Sequence, residues 1–330
     1  MDTKVTVLGG GAMATACAIV LAENKQRVCM WARNPAYAAS MNATRVNERL
    51  LPGVPISDGV EITSDIEKAV DGATLLVASI PTKHLRTGLS AIKDAIPSGV
   101  PVVSVIKGIE NETFQRPTEV VTSVLGPRPV VALGGPSHAE EVARRRPATL
   151  VAASEDDALA KVVQAAFTTD RFRVYTNNDL AGVEFAGALK NVIAIAAGIC
   201  DGIEYGDNAK SALMTRGLVE MTRFGVAMGA QQLTFSGLAG VGDLITTCTS
   251  PHGRNRKVGE LLGKGKTREQ IQEEMVAVAE GLTTTTSVMD IANERGIEMP
   301  ITREVYAVLF EGKSPRDATD SLMMRPPRSE

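Results

Sequence analysis

Lys190 stands in surroundings that could give a lysine a chemical role. It lies in the stretch EFAGALKNVIAIAAGI, where almost every neighbour is apolar. Burial favours the neutral form of a lysine, and such an amine can donate or accept a proton near neutral pH. The alternative is a side chain that extends along a helix to water. The adjacent Asn191, a second polar residue in the same turn, argues against that alternative. We therefore interpret Lys190 as a candidate acid or base.

Lys107 and Asp243 are further candidates. Lys107 follows the predicted strand Val102–Ile106 in SVIKGIE, at the strand end where ligands bind in parallel sheets, although a lone lysine there is often only solvated. Asp243 lies in GVGDLITTC, where flexible glycines precede a single carboxylate. It could orient Lys190 or bind a substrate hydroxyl, but an aspartate after glycine also commonly caps a helix.

Two loops could bind an anion. In SPHGRNRK, the basic residues Arg254, Arg256 and Lys257 stand where a loop enters a predicted helix. Guanidinium groups and free N–H groups both suit phosphate, whereas the plainer interpretation is a solvated basic face. GGPSHA follows the predicted strand VVAL, so its N–H groups could face the same ligand-binding edge. The three histidines and four scattered cysteines show no metal-ligand spacing, and the cysteines fit a reducing compartment.

The segment Gly9-Gly10-Gly11-Ala12-Met13-Ala14 matches GxGxxA directly after the first predicted strand. Such a loop lets a backbone approach a diphosphate at a helix N-terminus, although a tight turn without a ligand has the same composition. The second predicted strand ends in Met30-Trp31-Ala32-Arg33-Asn34, without the acid typical of NAD sites. Arg33 could pair with a 2′-phosphate, which predicts that NADPH is accepted and leaves its preference over NADH open; a solvated loop charge is the alternative. Trp31 could flank the adenine or simply pack.

The elements that position these residues divide the chain in two. Its 330 residues, 44% of them hydrophobic, are enough for two cores. Residues 1–180 alternate strand-like and helix-like segments, which predicts an α/β, Rossmann-type NAD(P)-binding domain with a mostly parallel sheet. Residues 181–330 predict an all-α domain that binds substrate and carries the catalytic lysine, with long helices punctuated by Gly, Asp and Pro.

Composition excludes several function classes. A formal charge of −3 and an aromatic content of 4% give no footprint for nucleic acid. The first residues, MDTKVTVLGGG, lack the pattern of a secretory signal, and polar residues interrupt the longest apolar runs. We expect a cytoplasmic protein without a membrane span. The residues offer no Ser/His/Asp relay, metal site or P-loop, so the remaining chemistry is hydride transfer with proton transfer by lysine on a small anionic substrate.

Several motifs, spread in order over roughly residues 3–320, resemble the bacterial-type NAD(P)-dependent glycerol-3-phosphate dehydrogenases. The motifs are the glycine loop, SVIKGIE, GGPSHAEEVA, GALKNVIAIAAGI, GVGDLITTCTS, GRNRKVG and VAEG. The family interconverts dihydroxyacetone phosphate and sn-glycerol 3-phosphate, normally reducing the ketone for glycerophospholipid synthesis. A homodimer is also implied by the resemblance.

The resemblance implies a role for each candidate. Lys190 would be the proton donor or acceptor, Lys107 would stabilise the developing alkoxide, and Asp243 would hold the substrate hydroxyl and the Lys190 ammonium. The implied substrate-binding residues are Lys107, Gly135, Ser137, Lys190, Asp243, Gly253, Arg254 and Asn255. The candidate cofactor-binding residues argued above are Gly9, Gly11, Ala12, Met13 and Ala14 of the glycine loop, with Trp31 and Arg33. The resemblance adds Lys107, Ala139, Arg254, Val278 and Glu280.

The chain departs from the family pattern at a few positions. Ala12 and Met13 replace a serine and an aromatic residue, Ala14 replaces the third glycine, and Gly253 replaces a serine. Loss of one hydroxyl changes binding by about 1 kcal/mol, so we expect altered affinity rather than lost activity. The alternatives are a related 3-hydroxyacid or sugar-acid dehydrogenase and a non-catalytic NADP(H)-binding sensor.

Overall fold

The computed structural model describes residues 4–275 and 279–326. The chain forms two compact units. The first ends at Lys107 and resumes over Gln115–Glu184, whereas the second takes up Gly108–Phe114 and continues from Phe185. The division therefore falls inside a helix, four residues beyond the boundary at residue 180 that the sequence predicts. The seven residues Gly108–Phe114, which precede that boundary, belong to the second unit.

The first unit is built on a sheet of eight strands in the order β10-β9-β8-β7-β6-β1-β2-β5. Neighbouring strands are parallel except for β8 and β9, and a separate antiparallel pair joins β3 to β4. The strands are β1 (Lys4–Leu8), β2 (Arg27–Trp31), β3 (Val46–Asn47), β4 (Leu51–Pro55), β5 (Val60–Thr63), β6 (Leu75–Ala78), β7 (Val102–Ser104), β8 (Val130–Gly134), β9 (Ala148–Ala153) and β10 (Phe172–Asn177).

Strand β1 lies in the interior of the sheet because its side chains are apolar toward both faces. Val5 and Val7 pack into the core on one face, and Leu8 packs into the core on the other. Thr6 is buried too, and its hydroxyl donates to the carbonyl of Ala69 at 2.6 Å. Burial on both faces is typical of parallel sheets. From β1 the chain adds β2 and β5 on one side, and it then adds β6 to β10 on the other side, so the strand order reverses between β1 and β6. Folds of this kind bind ligands at that point of the sheet.

The helices of the first unit flank this sheet. Polar side chains cap the N-termini of several of these helices. For example, the side chain of Asn34 accepts from the N–H of Tyr37, and that of Asp156 accepts from the N–H of Leu159. They are α1 (Ala12–Glu23), α2 (Pro35–Thr44), α3 (Ile66–Val70), α4 (Thr82–Ser90), α5 (Pro117–Leu125), α6 (Ala139–Val142) and α7 (Asp157–Phe167), with a 3₁₀ turn at Lys93–Ala95.

The second unit is helical, so the expected class of an α/β domain with a mostly parallel sheet followed by an all-α domain is confirmed. A π-helical turn, Leu238–Gly242, precedes α11. The helices are α8 (Leu180–Gly202, whose first residues belong to the first unit), α9 (Gly206–Ala227), α10 (Gln232–Phe235), α11 (Asp243–Thr249), α12 (Arg254–Gly263), α13 (Arg268–Glu274), α14 (Glu280–Arg295), α15 (Pro300–Phe310) and α16 (Pro315–Met323).

Helix α8 is long and apolar enough to cross a membrane by length and composition. Its most apolar stretch is completely buried inside the protein. A central core helix of a globular protein has the same length and composition.

Candidate active site

The glycine loop lies where β1 passes into α1, beside β6. Gly9 has a φ of +141°, and a Cβ atom there would lie 2.7 Å from the carbonyl oxygen of Ser79. Only glycine therefore fits this position. Gly11 precedes the helix in an extended conformation, and nothing lies within 4 Å of where its Cβ would be. Ala14 is fully buried, as expected for close packing of the helix on the sheet. This open helix N-terminus can bind a diphosphate.

The two residues considered for the adenine and the ribose, at the end of β2, differ in their exposure to solvent. Trp31 is buried in the core, and its indole N–H donates to the carbonyl of Ser64 at 3.1 Å. Its ring therefore packs in the core, which is one of the two interpretations considered for Trp31. Arg33 is exposed in the loop that leads into α2, where a guanidinium is available to a phosphate.

Lys107, Gly135 and Ser137 come together. The ammonium of Lys107 donates to the carbonyl of Gly135 at 2.9 Å and lies 3.5 Å from Oγ of Ser137. Gly135 has a φ of +123°, and a Cβ there would lie 3.1 Å from Cα of Leu150. Lys107 stands three residues beyond the end of β7 rather than directly after a strand, because β7 ends at Ser104. Ala139 begins α6 shortly after Ser137 and is buried.

A cavity adjoins Lys107 and Ser137. Apolar side chains form much of its wall, among them Met13 from α1, Leu133 from β8 and Leu150 at β9. Apolar walls lower the local dielectric, so the charge of the lysine acts more strongly on an oxyanion than it would in open water. Met13 lines this cavity, and the aromatic residue that the family pattern has in its place would fill more of the space.

In the second unit, Lys190 and Asp243 form a buried ion pair. The ammonium of Lys190 lies 2.7 Å from Oδ1 of Asp243 and donates to Oγ1 of Thr247 at 2.5 Å. Lys190 is 5% exposed and Asp243 is 1% exposed. Asp243 is the first residue of α11, and its ion pair with Lys190 is the contact that one of its possible roles, orienting the lysine, requires. The carboxylate offsets the desolvation of the ammonium, so the lysine can remain charged while buried.

The π-helical turn before α11 determines where Asp243 points. A Cβ on Gly240 would lie 2.0 Å from the carbonyl oxygen of Phe235, so the turn requires glycine there. Asp243 and Thr247 are four residues apart and therefore share one face of α11. Thr247 was not among the residues selected from the sequence, although its spacing from Asp243 is a signal that could have found it.

Two of the three basic residues predicted to form an anion site at the start of α12 are in ion pairs. Arg256 pairs with Asp201 at 2.6 Å, and Lys257 pairs with Glu260 at 3.2 Å. The carboxylates neutralise the charges of Arg256 and Lys257. Because an ion pair carries little net charge, these two residues attract a further anion only weakly. Arg254 is the first residue of the helix.

Asn255 and Gly253 complete this turn. Asn255 is buried, and its Oδ1 accepts from the N–H of Gly281 at 2.9 Å, which leaves its amide hydrogens as the group to offer an anion. A Cβ on Gly253 would lie 2.9 Å from the carbonyl oxygen of Thr247, so a serine in this position would require a shift of the backbone. Glu280 begins α14, half-buried. Val278 lies outside the described residues.

Helix α12 rests on α8 through a glycine contact formed by Gly198 and Gly202 of α8 with Gly259 and Gly263 of α12. A Cβ on Gly198 would lie 1.9 Å from the carbonyl oxygen of Arg256, and one on Gly259 would lie 1.9 Å from that of Ile195. The two backbones are therefore in direct contact. The same helix pair carries Lys190 on α8 and Arg254 on α12.

The sheet reverses its strand order next to a glycine loop, and the chain also contains a buried lysine–carboxylate pair. These features together define the class of nicotinamide-dependent dehydrogenases. The family model described as NAD-dependent glycerol-3-phosphate dehydrogenase N-terminus matches residues 4–160, and that described as the C-terminus of the same family matches residues 179–320. The chain belongs to the NAD-dependent glycerol-3-phosphate dehydrogenase family.

Individual relatives agree over nearly the whole chain. Glycerol-3-phosphate dehydrogenase [NAD(P)+] from Chlorobium phaeobacteroides (strain BS1) is 48% identical, with 99% of each chain covered. That from Geobacillus thermodenitrificans (strain NG80-2) is 47% identical, with 99% of this chain and 96% of the relative covered. The crystal structure of glycerol-3-phosphate dehydrogenase from Coxiella burnetii is similar with a TM-score of 0.94 at 36% identity, covering 98% of this chain and 99% of that one.

Proposed function

We propose that this chain is an NAD(P)H-dependent oxidoreductase that reduces dihydroxyacetone phosphate to sn-glycerol 3-phosphate and catalyses the reverse reaction. The observation that carries the proposal is the buried pair of Lys190 and Asp243, because a desolvated ammonium held by a carboxylate is suited to proton transfer. In the reductive direction, Lys190 donates a proton to the carbonyl oxygen of the substrate. In the oxidative direction, its neutral amine accepts that proton from the hydroxyl.

The first unit fits a dinucleotide. The conformation of Gly9 and the open space at Gly11 leave room for a diphosphate against the N-terminus of α1. A bound nicotinamide would supply the hydride that the carbonyl carbon of the ketone takes up, or would receive it from the carbinol carbon in the reverse direction. We assign the diphosphate to the loop residues Gly9, Gly11, Ala12, Met13 and Ala14, with Arg33 on a 2′-phosphate. Lys107, Ala139, Arg254, Val278 and Glu280 are the further cofactor contacts proposed.

The remaining proposed roles concern the substrate. The ammonium of Lys107 stabilises negative charge on the substrate oxygen, with Gly135 and Ser137 as neighbouring contacts. Arg254 and the amide hydrogens of Asn255 bind the phosphate, at a helix N-terminus that begins after Gly253. In the cell, the proposed product supplies glycerophospholipid synthesis in the cytoplasm.

We further propose that the protein is a homodimer. Val219 and Val226 lie seven residues apart on one face of α9 and are 40% and 48% exposed. The neighbouring helices α10 and α11 expose Leu233 (82%) and Ile245 (48%). An apolar surface of this kind suits a second copy of the chain. Light scattering after size exclusion tests the proposal, and a monomer at all concentrations would contradict it.

The function is tested by the loss of absorbance at 340 nm with dihydroxyacetone phosphate, run in parallel with NADH and NADPH. Oxidation of either cofactor supports the reaction. Parallel assays with 3-keto acids and oxidised sugar acids cover related dehydrogenases, and turnover with those substrates alone would replace the proposed one. Absence of turnover with every substrate, in protein that binds NADPH, would favour a cofactor-binding sensor.

The role of Arg33 is tested in the same assay. Arg33→Ser removes the only charge proposed for the 2′-phosphate, so we expect the ratio of kcat/KM for NADPH to that for NADH to fall about tenfold. Arg27→Ser, at the exposed start of β2, is the matched control because it removes an arginine from the end of this strand that is remote from the loop of Arg33. An unchanged ratio would remove Arg33 from the cofactor site.

A further inference from the structure

Asn47 is a fully buried amide whose hydrogen bonds are all made within the protein. Its Oδ1 accepts from the hydroxyl of Tyr37 and from the N–H of Leu50. Its Nδ2 donates to the carbonyl of Gly10 at 3.1 Å and to Oγ1 of Thr15 at 2.8 Å. An asparagine side chain has two acceptor positions and two N–H donors, and all four are used here.

The donor side of this amide fixes two carbonyls of the glycine loop. It holds the carbonyl of Gly10 directly. It holds the carbonyl of Gly11 through Thr15, whose hydroxyl donates to that oxygen at 3.0 Å and accepts from Asn47. The ring of Tyr37 supports the same loop, since a Cβ on Gly10 would lie 3.4 Å from its Cε1.

The positions of these carbonyls determine the directions of the next N–H groups. A trans peptide unit is planar, and its C=O and the following N–H point in opposite directions. With the carbonyls of Gly10 and Gly11 turned toward Asn47 and Thr15, the N–H groups of Gly11 and Ala12 are turned away from them. These groups stand at the start of α1, where a helix lacks intrahelical acceptors and binds anions.

We propose that Asn47, acting through Thr15 and directly on Gly10, is a positioning residue of the dinucleotide site. It holds the loop carbonyls inward so that the N–H groups of Gly11 and Ala12 face the diphosphate. The inference rests on the proposed cofactor site and not on the identity of the substrate.

The test compares ligands with and without a diphosphate. Binding of ADP-ribose and of 2′-AMP is measured by calorimetry in the wild type and in Asn47→Ala. We expect the Kd of ADP-ribose to rise about tenfold, because two bonds that orient the loop are lost, and the Kd of 2′-AMP to change less than about twofold. A purely structural role would weaken both ligands alike.

Variants of a second residue keep the test from depending on whether Asn47→Ala folds. Thr15→Val removes the hydroxyl that relays to Gly11, and we expect it to weaken ADP-ribose about threefold, whereas Thr15→Ser restores binding. Asn42→Ala is the matched control. This amide on α2 donates to the carbonyl of Ile62 at 2.7 Å and accepts from Arg45 at 3.4 Å. Neither bond involves the glycine loop, so ADP-ribose affinity should not change.

The outcomes separate the two proposals. Equal losses for ADP-ribose and 2′-AMP, or wild-type affinity in both Asn47→Ala and Thr15→Val, would overturn the positioning role. A wild-type protein that fails to bind ADP-ribose would overturn the cofactor site and the positioning role together. A protein that shows the expected pattern but does not reduce dihydroxyacetone phosphate would leave the positioning role intact and reject only the proposed substrate.

Discussion

Replacing Lys190 by methionine should separate catalysis from stability. The methionine keeps most of the volume of the side chain but removes the ammonium that lies 2.7 Å from Asp243. A carboxylate that is 1% exposed then loses its cation, and breaking such a buried pair costs about 3–5 kcal/mol in the free energy of unfolding. Loss of a positioned proton donor should lower kcat about 10²–10⁴-fold.

The double variant Lys190→Met/Asp243→Asn distinguishes the two effects. With both charges removed, no buried carboxylate lacks its cation, so most of the lost stability should return while kcat stays low. Lys210→Met is the matched control, because Lys210 also pairs with a carboxylate of the second unit, Asp201 at 2.8 Å, but has no proposed part in proton transfer. Its kcat should stay within about threefold of the wild type.

Two assays are needed for each variant. Urea unfolding gives the free energy of unfolding, and oxidation of NADPH at saturating dihydroxyacetone phosphate gives kcat. Lys190→Met with a kcat within tenfold of the wild type would refute proton transfer by this lysine. A double variant no more stable than the single one would refute the argument that an uncompensated carboxylate causes the loss.

Three further predictions follow from other parts of the chain. Arg254→Ala should raise the KM for dihydroxyacetone phosphate about 10–100-fold while leaving the slow reduction of unphosphorylated glyceraldehyde little changed, and equal losses for both substrates would argue against a phosphate contact. Burial raises the pKa of the Cys17 and Cys248 thiols to about 12, so iodoacetamide at pH 8 should label them only after unfolding; labelling in the native state would contradict their burial. Burial also raises the pKa of Glu220, whose carboxylate accepts from the backbone of α15. The folded state then binds the proton more tightly than the unfolded state, so the free energy of unfolding of the wild type should fall relative to that of Glu220→Gln as pH rises through the raised pKa. A difference between the two proteins that stays constant from pH 4 to 8 would contradict the raised pKa.

Much of the sheet could be predicted because its strands carry a local signal. The β-branched runs KVTVL and VEIT predict strands over Lys4–Leu8 and Val60–Thr63, and these are the bounds of β1 and β5. Short runs of this kind that end at polar residues or glycines are typical of buried strands. The strand β10 was not predicted, although FRVYTN alternates apolar and polar residues and its first residues alternate between buried and exposed. The β3–β4 pair was missed because prolines and glycine in LPGVP suggest irregular chain rather than a strand.

The candidate site was predictable as residue types but less so as geometry. Lys190 is recognisable because a charge in an apolar helix is conspicuous, and its pairing with Asp243 was one of the options considered. The ion pair of Arg256 with Asp201 spans 55 residues and leaves no local pattern, so the sequence gives no sign that this arginine is paired. Asn47 acts on the glycine loop from 37 positions away, in a segment whose composition suggests only a loop.

The glycine contact between α8 and α12 has a consequence for how this half of the molecule can vary. An ordinary core absorbs a change of volume because side chains repack into other rotamers. Where backbones touch, there are no rotamers to exchange and no side-chain entropy to lose on folding. A single added methyl group at Gly198 or Gly259 must therefore displace a whole helix, and with it the turn that begins at Arg254. Substitution of these glycines should thus be tolerated far less than their distance from any reacting atom would suggest.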